Sequence, residues 1–154
     1  MEYAIENEYL IVTVTTWGAQ VKSVVRKFDD VEHMWQADKS VWGYHAPILF
    51  PHTGKVVDDL IETKGEVYQA KQHGFARLME HTLVRQTEDT IVMELRSSEE
   101  TLRIFPYAFR LVSTFTLDGD TLHHKLTVEN WDADKLYFGI GYHPAFTVPF
   151  DDEH

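Results

Sequence analysis

Alternation with a period of two is the feature that most constrains how this chain folds. From Thr121 to Glu129 it reads TLHHKLTVE, so Leu122, His124, Leu126 and Val128 share one face. Thr121, His123, Lys125, Thr127 and Glu129 share the other. One apolar and one polar face is the pattern of an antiparallel strand with a core on one side. The stretch Phe109 to Leu117 (FRLVSTFTL) is rich in β-branched and aromatic residues, and Asp118-Gly119-Asp120 follows as a tight turn, so the pair predicts a hairpin. Tyr9 to Thr15 and Thr90 to Arg96 read as strands for the same reason. Helix reduces to one turn at Ser98 to Leu102, capped by Ser97 or Ser98, with Glu99 and Glu100 near its positive end. The pattern predicts an all-β protein of about nine or ten strands, an antiparallel β-sandwich or part of one.

No linker, repeat or low-complexity segment divides residues 1–154, so a single β domain is expected. With 14 basic residues against 25 acidic ones, the net charge of -11 argues against nucleic acid and against an anionic membrane surface. It does not argue against a small ligand, because one or two arginines can hold an anion within an acidic protein. No apolar run approaches the ~18 residues of a membrane helix. Met1-Glu2-Tyr3 opens no secretory signal, and the chain has no cysteine for disulfides or thiolate metal sites. A cytoplasmic location is the expectation.

Three constellations could carry chemistry. In Gly139-Ile140-Gly141-Tyr142-His143-Pro144, Pro144 bars His143 from the helical region and places it at the end of an apolar strand. Gly139 and Gly141 let another backbone or a ligand come close. The plainer reading is a packed histidine at a strand end. In His73-Gly74-Phe75-Ala76-Arg77, Gly74 allows a sharp turn, Phe75 can anchor in the core, and His73 and Arg77 can present donors. The plainer reading is a loop with a surface arginine. In Leu49 to Lys55 (LFPHTGK), Lys55 could meet an anion or a hydroxyl, or simply be solvated. Around it, Trp42 to Val56 holds two prolines, two histidines and large apolar side chains, so it reads equally as a pocket wall or as a buried crossover between sheets.

Spacing excludes several chemistries. A phosphate-binding P-loop would need Gly and Ser/Thr where Leu49 and Val56 stand. No G-x-S-x-G elbow, H-x-H or H-E-x-x-H motif occurs, and His123 and His124 point to opposite faces, so no metal site and no cofactor are expected. Two imidazoles, an arginine and abundant aromatic rings suit a carbohydrate pocket, with rings against C–H faces and donors for hydroxyls.

Four motifs together resemble one family. A-P-I-L-F-P (Ala46 to Pro51), H-G-F-A-R (His73 to Arg77), T-L-R-I-F-P-Y-x-F (Thr101 to Phe109) and G-I-G-Y-H-P-A-F (Gly139 to Phe146) are similar, in order and spacing, to the aldose 1-epimerase or galactose mutarotase-like family. The branch associated with lactose operons is the most similar. The resemblance implies a β-supersandwich with a sugar cleft, of which this chain would be a part. It also implies interconversion of the α and β anomers of a hexose, free or phosphorylated, by acid–base opening of the ring. His143 would be the general acid at the ring oxygen, with His73 binding substrate near the same oxygen. Arg77 would line the cleft, and Lys55 stands where many relatives carry arginine. An imidazole suits the acid role because its pKa of about 6.5 lets it give and regain a proton at neutral pH.

Family members are longer, and their second half carries the catalytic glutamate and a substrate-binding aspartate. The chain resembles only the N-terminal half, and the tail Asp151-Asp152-Glu153 does not match the base motif. The expectation is therefore a sugar site lacking its base, with self-association or a separate chain completing the sandwich. The alternatives are a non-catalytic carbohydrate-binding module and a structural β domain.

Overall fold

A computed structural model describes residues 1–148; the acidic tail at 151–153 lies outside the described residues. The first four strands, β1 (Glu2–Glu6), β2 (Leu10–Thr15), β3 (Val21–Arg26) and β4 (Val31–Glu32), form an antiparallel sheet in that order. Leu10, Val12 and Val14 of β2 are buried while the residues between them are half-buried, as the period of two requires.

After this sheet come β5 (Ile48–Leu49), β6 (Leu60–Thr63) and β7 (Glu66–Gln69), then β8 (Thr82–Gln86) and β9 (Thr90–Arg96). A single helical turn, α1 (Glu99–Leu102), precedes β10 (Phe109–Asp118), β11 (Thr121–Asn130) and β12 (Gly141–Tyr142). The second four-stranded sheet is antiparallel in the order β11-β10-β9-β8, and β6–β7 and β5–β12 form two small separate pairs. The long hairpin has the expected register, from Phe109 opposite Asn130 to Asp118 opposite Thr121.

The two large sheets press their apolar faces into one core. Ile5, Val12 and Val14 from the first join Ile91, Met93, Leu111 and Phe115 from the second. At the sandwich edge Gln86 Nε2 donates to Ala4 O at 2.7 Å and Glu6 N–H to Glu88 O at 3.2 Å. Phe50, fully buried, sits at the centre of a ring cluster with Phe75, Phe105 and Phe109, its centroid within 5.1 to 6.1 Å of each. Burial of such a ring contributes about 1.5–3 kcal/mol.

Twelve strands are present among the described residues, because β4, β5 and β12 are two-residue pairings too short to leave a periodic trace. The α1 turn forms as expected, and Ser98 is its cap. The Ser98 hydroxyl accepts from Thr101 N–H at 3.3 Å, and Thr101 Oγ1 accepts from Ser98 N–H at 2.8 Å. Ser97 instead accepts from the Phe109 amide. The segment around Trp42 to Val56 forms the buried crossover, with Ala46 to Pro51 inside, Ile48–Leu49 paired with β12 and Phe50 bridged to Gly74.

Candidate functional site

Three loops converge beside β12, each held by backbone bonds. Residues 73–78 form a turn on top of Phe50. The amides of Phe75 and Ala76 both donate to Phe50 O, at 2.9 and 3.2 Å, and Gly74 passes so close that a Cβ there would lie 2.1 Å from that oxygen. Glycine is needed here on two counts, since its φ is +70°. His73 also adopts a positive φ, 65°, which is uncommon for a side-chain-bearing residue and marks the position as a functional candidate. Two bonds fix it to the second loop: its amide donates to Gly54 O at 2.8 Å, and Gly54 N–H donates to His73 Nδ1 at 2.9 Å. In the neutral ring Nε2 therefore carries the hydrogen.

The third loop carries His143, the residue after β12. Gly141 opposes Leu49 there, and a Cβ at Gly141 would sit 2.9 Å from Thr53 Cγ2. His143 N–H donates to Pro47 O at 3.1 Å, and Ala145 N–H to His45 O at 2.9 Å. The imidazole lies with its centroid 5.0 Å from the Trp42 ring and 6.5 Å from the His73 ring, in an edge-on arrangement with the latter. Trp42 in turn packs 5.7 Å from Tyr44, and the Arg77 guanidinium lies 5.0 Å above the Tyr44 ring. Arg77 Nη2 donates to Gln72 O at 3.0 Å, while its buried Nε has no partner among the described residues.

Thus the turn at 73–77, the crossover and β12 bring His73, Arg77, Trp42, Tyr44 and His143 into one contiguous group. Lys55 stands apart from it: its exposed ammonium pairs with Asp59 at 3.6 Å, the i,i+4 partner across a 3-10 turn at Val57–Asp59.

The group is cationic within an acidic protein. Burial is the largest influence lowering the His73 pKa, followed by the charges of Arg77, His143 and His52, so the neutral ring is favoured. Among the described residues, no carboxylate figures in those influences. Donors for hydroxyl or anionic oxygens are therefore present.

Sequence reasoning did not single out the residues that support this group. Gln20, 4% exposed, accepts from the His45 and Ala46 amides at 3.1 and 3.2 Å and donates to Trp17 O at 3.4 Å, tying the crossover to the first sheet. His124 stacks on Phe115 at 4.3 Å and meets the Tyr142 ring edge-on at 4.6 Å, directly beneath the strand that leads to His143. Burial pushes its pKa down to about 4. Its place on the apolar face of β11 was the available signal. A polar residue in a loop, such as Gln20, gives none.

The whole chain, residues 1–154, matches the family model of aldose 1-epimerase. The plasmid-encoded protein LacX of Lactococcus lactis is 35% identical over 97% of this chain and 52% of its own length. Among solved structures, the galactose mutarotase related enzyme of Lactobacillus acidophilus superposes with a TM-score of 0.96 at 36% identity, over 100% of this chain and 51% of that one. A galactose mutarotase-like protein of Lactobacillus casei gives 0.95 at 33% identity, over 99% and 52%. The chain spans about half the length of the relatives it matches. With the four motifs in register and the likeness extending over the entire fold, the chain belongs to the aldose 1-epimerase family.

Proposed function

We propose that residues 1–154 act as a single β domain carrying the acid side of an aldose 1-epimerase site, which interconverts the α and β anomers of a hexose. The observation that carries this reading is the juxtaposition of His143 and His73, 6.5 Å apart, against the Trp42 and Tyr44 rings. A sugar lying on these rings would meet His73 Nε2–H as a neutral donor near the ring oxygen. His143 delivers a proton to that oxygen as the C1–O5 bond breaks, and recovers it on closure after rotation about C1–C2. Arg77, whose Nε is unpartnered among the described residues, is suited to an exocyclic oxygen, including that of a phosphorylated hexose. Lys55, held by Asp59, would have to release that partner to reach the same group.

The proton on the C1 hydroxyl needs a base. A second chain, or a second copy of this one, would supply it while covering the free edge of β11 and exposed rings such as Phe28, Tyr137 and Phe146. Light scattering that returns only a stable, folded monomer would count against this association. The reaction belongs in the cytoplasm on this reading, which cell fractionation tests.

The deciding assay is anomer exchange of glucose, galactose and their 6-phosphates followed by NMR in a buffer without phosphate or imidazole. Catalysis is expected to fall ~10²–10⁴-fold in His143→Ala, the usual contribution of a general acid. Exchange no faster than the blank would reject catalysis by this chain alone. The aromatic wall of Trp42 and Tyr44 beside Arg77 also suits a second reading, a non-catalytic sugar-binding module. It predicts saturable sugar binding that survives His143→Ala.

A further inference from the structure

A second concave space lies away from the His73 and His143 rings. An apolar cavity of about 360 Å³ lies between the β6–β7 hairpin, the turn at 74–79 and the segment after α1. Ile61 lines it from the hairpin, Leu78 and Met79 from the turn, and Ile104 and Phe105 from the third side. Its size falls at the lower end of small-molecule sites, which run from about 300 to 1,000 Å³. A dry cavity of about 150 Å³ accepts one benzene ring, so this one has room for one or two fused rings. The exposed side chains of Gln69, Lys71 and Glu100 stand at its open side, and neither charge has an ion-pair partner among the described residues.

The hairpin that covers the cavity lies outside both large sheets. The strands β6 and β7 pair only with each other. The hairpin tip is held by side chains: Lys64 to Asp132 and Asp134 at 2.9 and 3.1 Å, and Thr63 Oγ1 against the Tyr107 hydroxyl at 2.5 Å. The inner wall, in contrast, is the turn that positions His73. Gly74 lines the cavity and donates to Lys71 O at 2.9 Å; His52 lines it too, with Nε2 at 2.8 Å from Lys71 O and 3.2 Å from Gly74 N.

We infer that this cavity is a second ligand site, taking a small aromatic or alicyclic molecule that bears one hydrogen-bonding group, and that His73 senses its occupation through the Lys71–Gly74 turn. The site is separate from the sugar reading and does not depend on it. The apolar body replaces cavity surface, and the polar group remains at the mouth with Gln69, Lys71 or Glu100.

Indole is the probe. With methionine methyls labelled, Met79 reports from the cavity wall while Met34 and Met93 report from the core. Indole is expected to shift the Met79 methyl saturably and to move the His73 ring signals with the same midpoint. Ile61→Trp, which fills the space from the hairpin, is expected to weaken the response by about tenfold or more, a loss of ~1.4 kcal/mol. A Met79 methyl unmoved up to the solubility limit of indole overturns the site. An undiminished response in an Ile61→Trp protein with native Met34 and Met93 signals overturns it equally. Should that variant unfold, Leu78→Trp fills the cavity from the opposite wall and decides. Saturation at Met79 with His73 unmoved overturns the coupling.

Discussion

His81 makes the fold acid-sensitive at a point that matters for the candidate site. It is 2% exposed; its Nε2 lies 3.1 Å from Ala76 O, to which it donates, and its own amide donates to Thr16 O at 2.8 Å. The side chain thus fastens the turn that carries His73 and Arg77 to the end of β2. Its buried Nδ1 has no partner among the described residues, so a proton added there gains no hydrogen bond, and burial lowers the pKa from 6.5 to about 4. Since the folded-state pKa lies below the unfolded value, protons favour the unfolded chain. The stability is fully present above about pH 6.5 and is lost as pH falls from there towards about 4. Between pH 7 and pH 5 the linkage relation with these two values gives a loss of about 2 kcal/mol from this residue. His81→Gln keeps a donor for Ala76 O without a titrating group, so its stability should fall by about 2 kcal/mol less over the same interval. Urea unfolding of both proteins at pH 7, 6 and 5 measures this directly. His124 is common to both and cancels. Parallel pH dependences for the two proteins would refute the reasoning.

Other substitutions test the supports of the site. Gly74→Ala adds a methyl against Phe50 O at a φ of +70°, and strain plus overpacking should cost about 2–4 kcal/mol in denaturant unfolding. Gln20→Ala leaves the His45 and Ala46 amides without their acceptor; a loss of about 2–4 kcal/mol is expected, with amide exchange accelerated at those two positions. Ser98→Ala removes the cap of α1 and should lower stability by about 1 kcal/mol, with no change in sugar binding.

The sheets were legible because their side chains obey a local rule. Each residue of Thr121 to Asn130 reveals its face by its neighbours two positions away, and the Asp118-Gly119-Asp120 turn fixes the partner strand. Ile48–Leu49 and Gly141–Tyr142 obey no such rule. Their pairing is long-range, and what permits it is the missing side chain of Gly141 beside Thr53 and Leu49. The same distinction runs through the site. His73 and His143 were readable as candidates because glycine and proline constrain their backbones. Their approach to Trp42 and Tyr44 arises from the crossover folding back over the core, which only the assembled fold dictates. For Lys55 the competing signal was local: Asp59 stands four residues on, within reach of its ammonium.

A group of two imidazoles and a guanidinium in one small region carries its own electrostatic demand. Burial first, and then the charges of Arg77, His143 and His52, lower the His73 pKa and favour its neutral form. On the proposed reading, a neutral His73 is a hydrogen-bond donor and His143 delivers the proton. The unbalanced side is therefore negative. On the proposed reading, a carboxylate placed against the C1 hydroxyl would both take its proton and offset the Arg77 charge, so base and counter-charge would be one requirement. A chain that supplies such a carboxylate should bind more tightly to this one at low than at high ionic strength, because the charges it meets are partly exposed. Association insensitive to salt would mean that the apolar surface around Phe146 and Tyr137 governs assembly, and that the carboxylate contributes only to the chemistry.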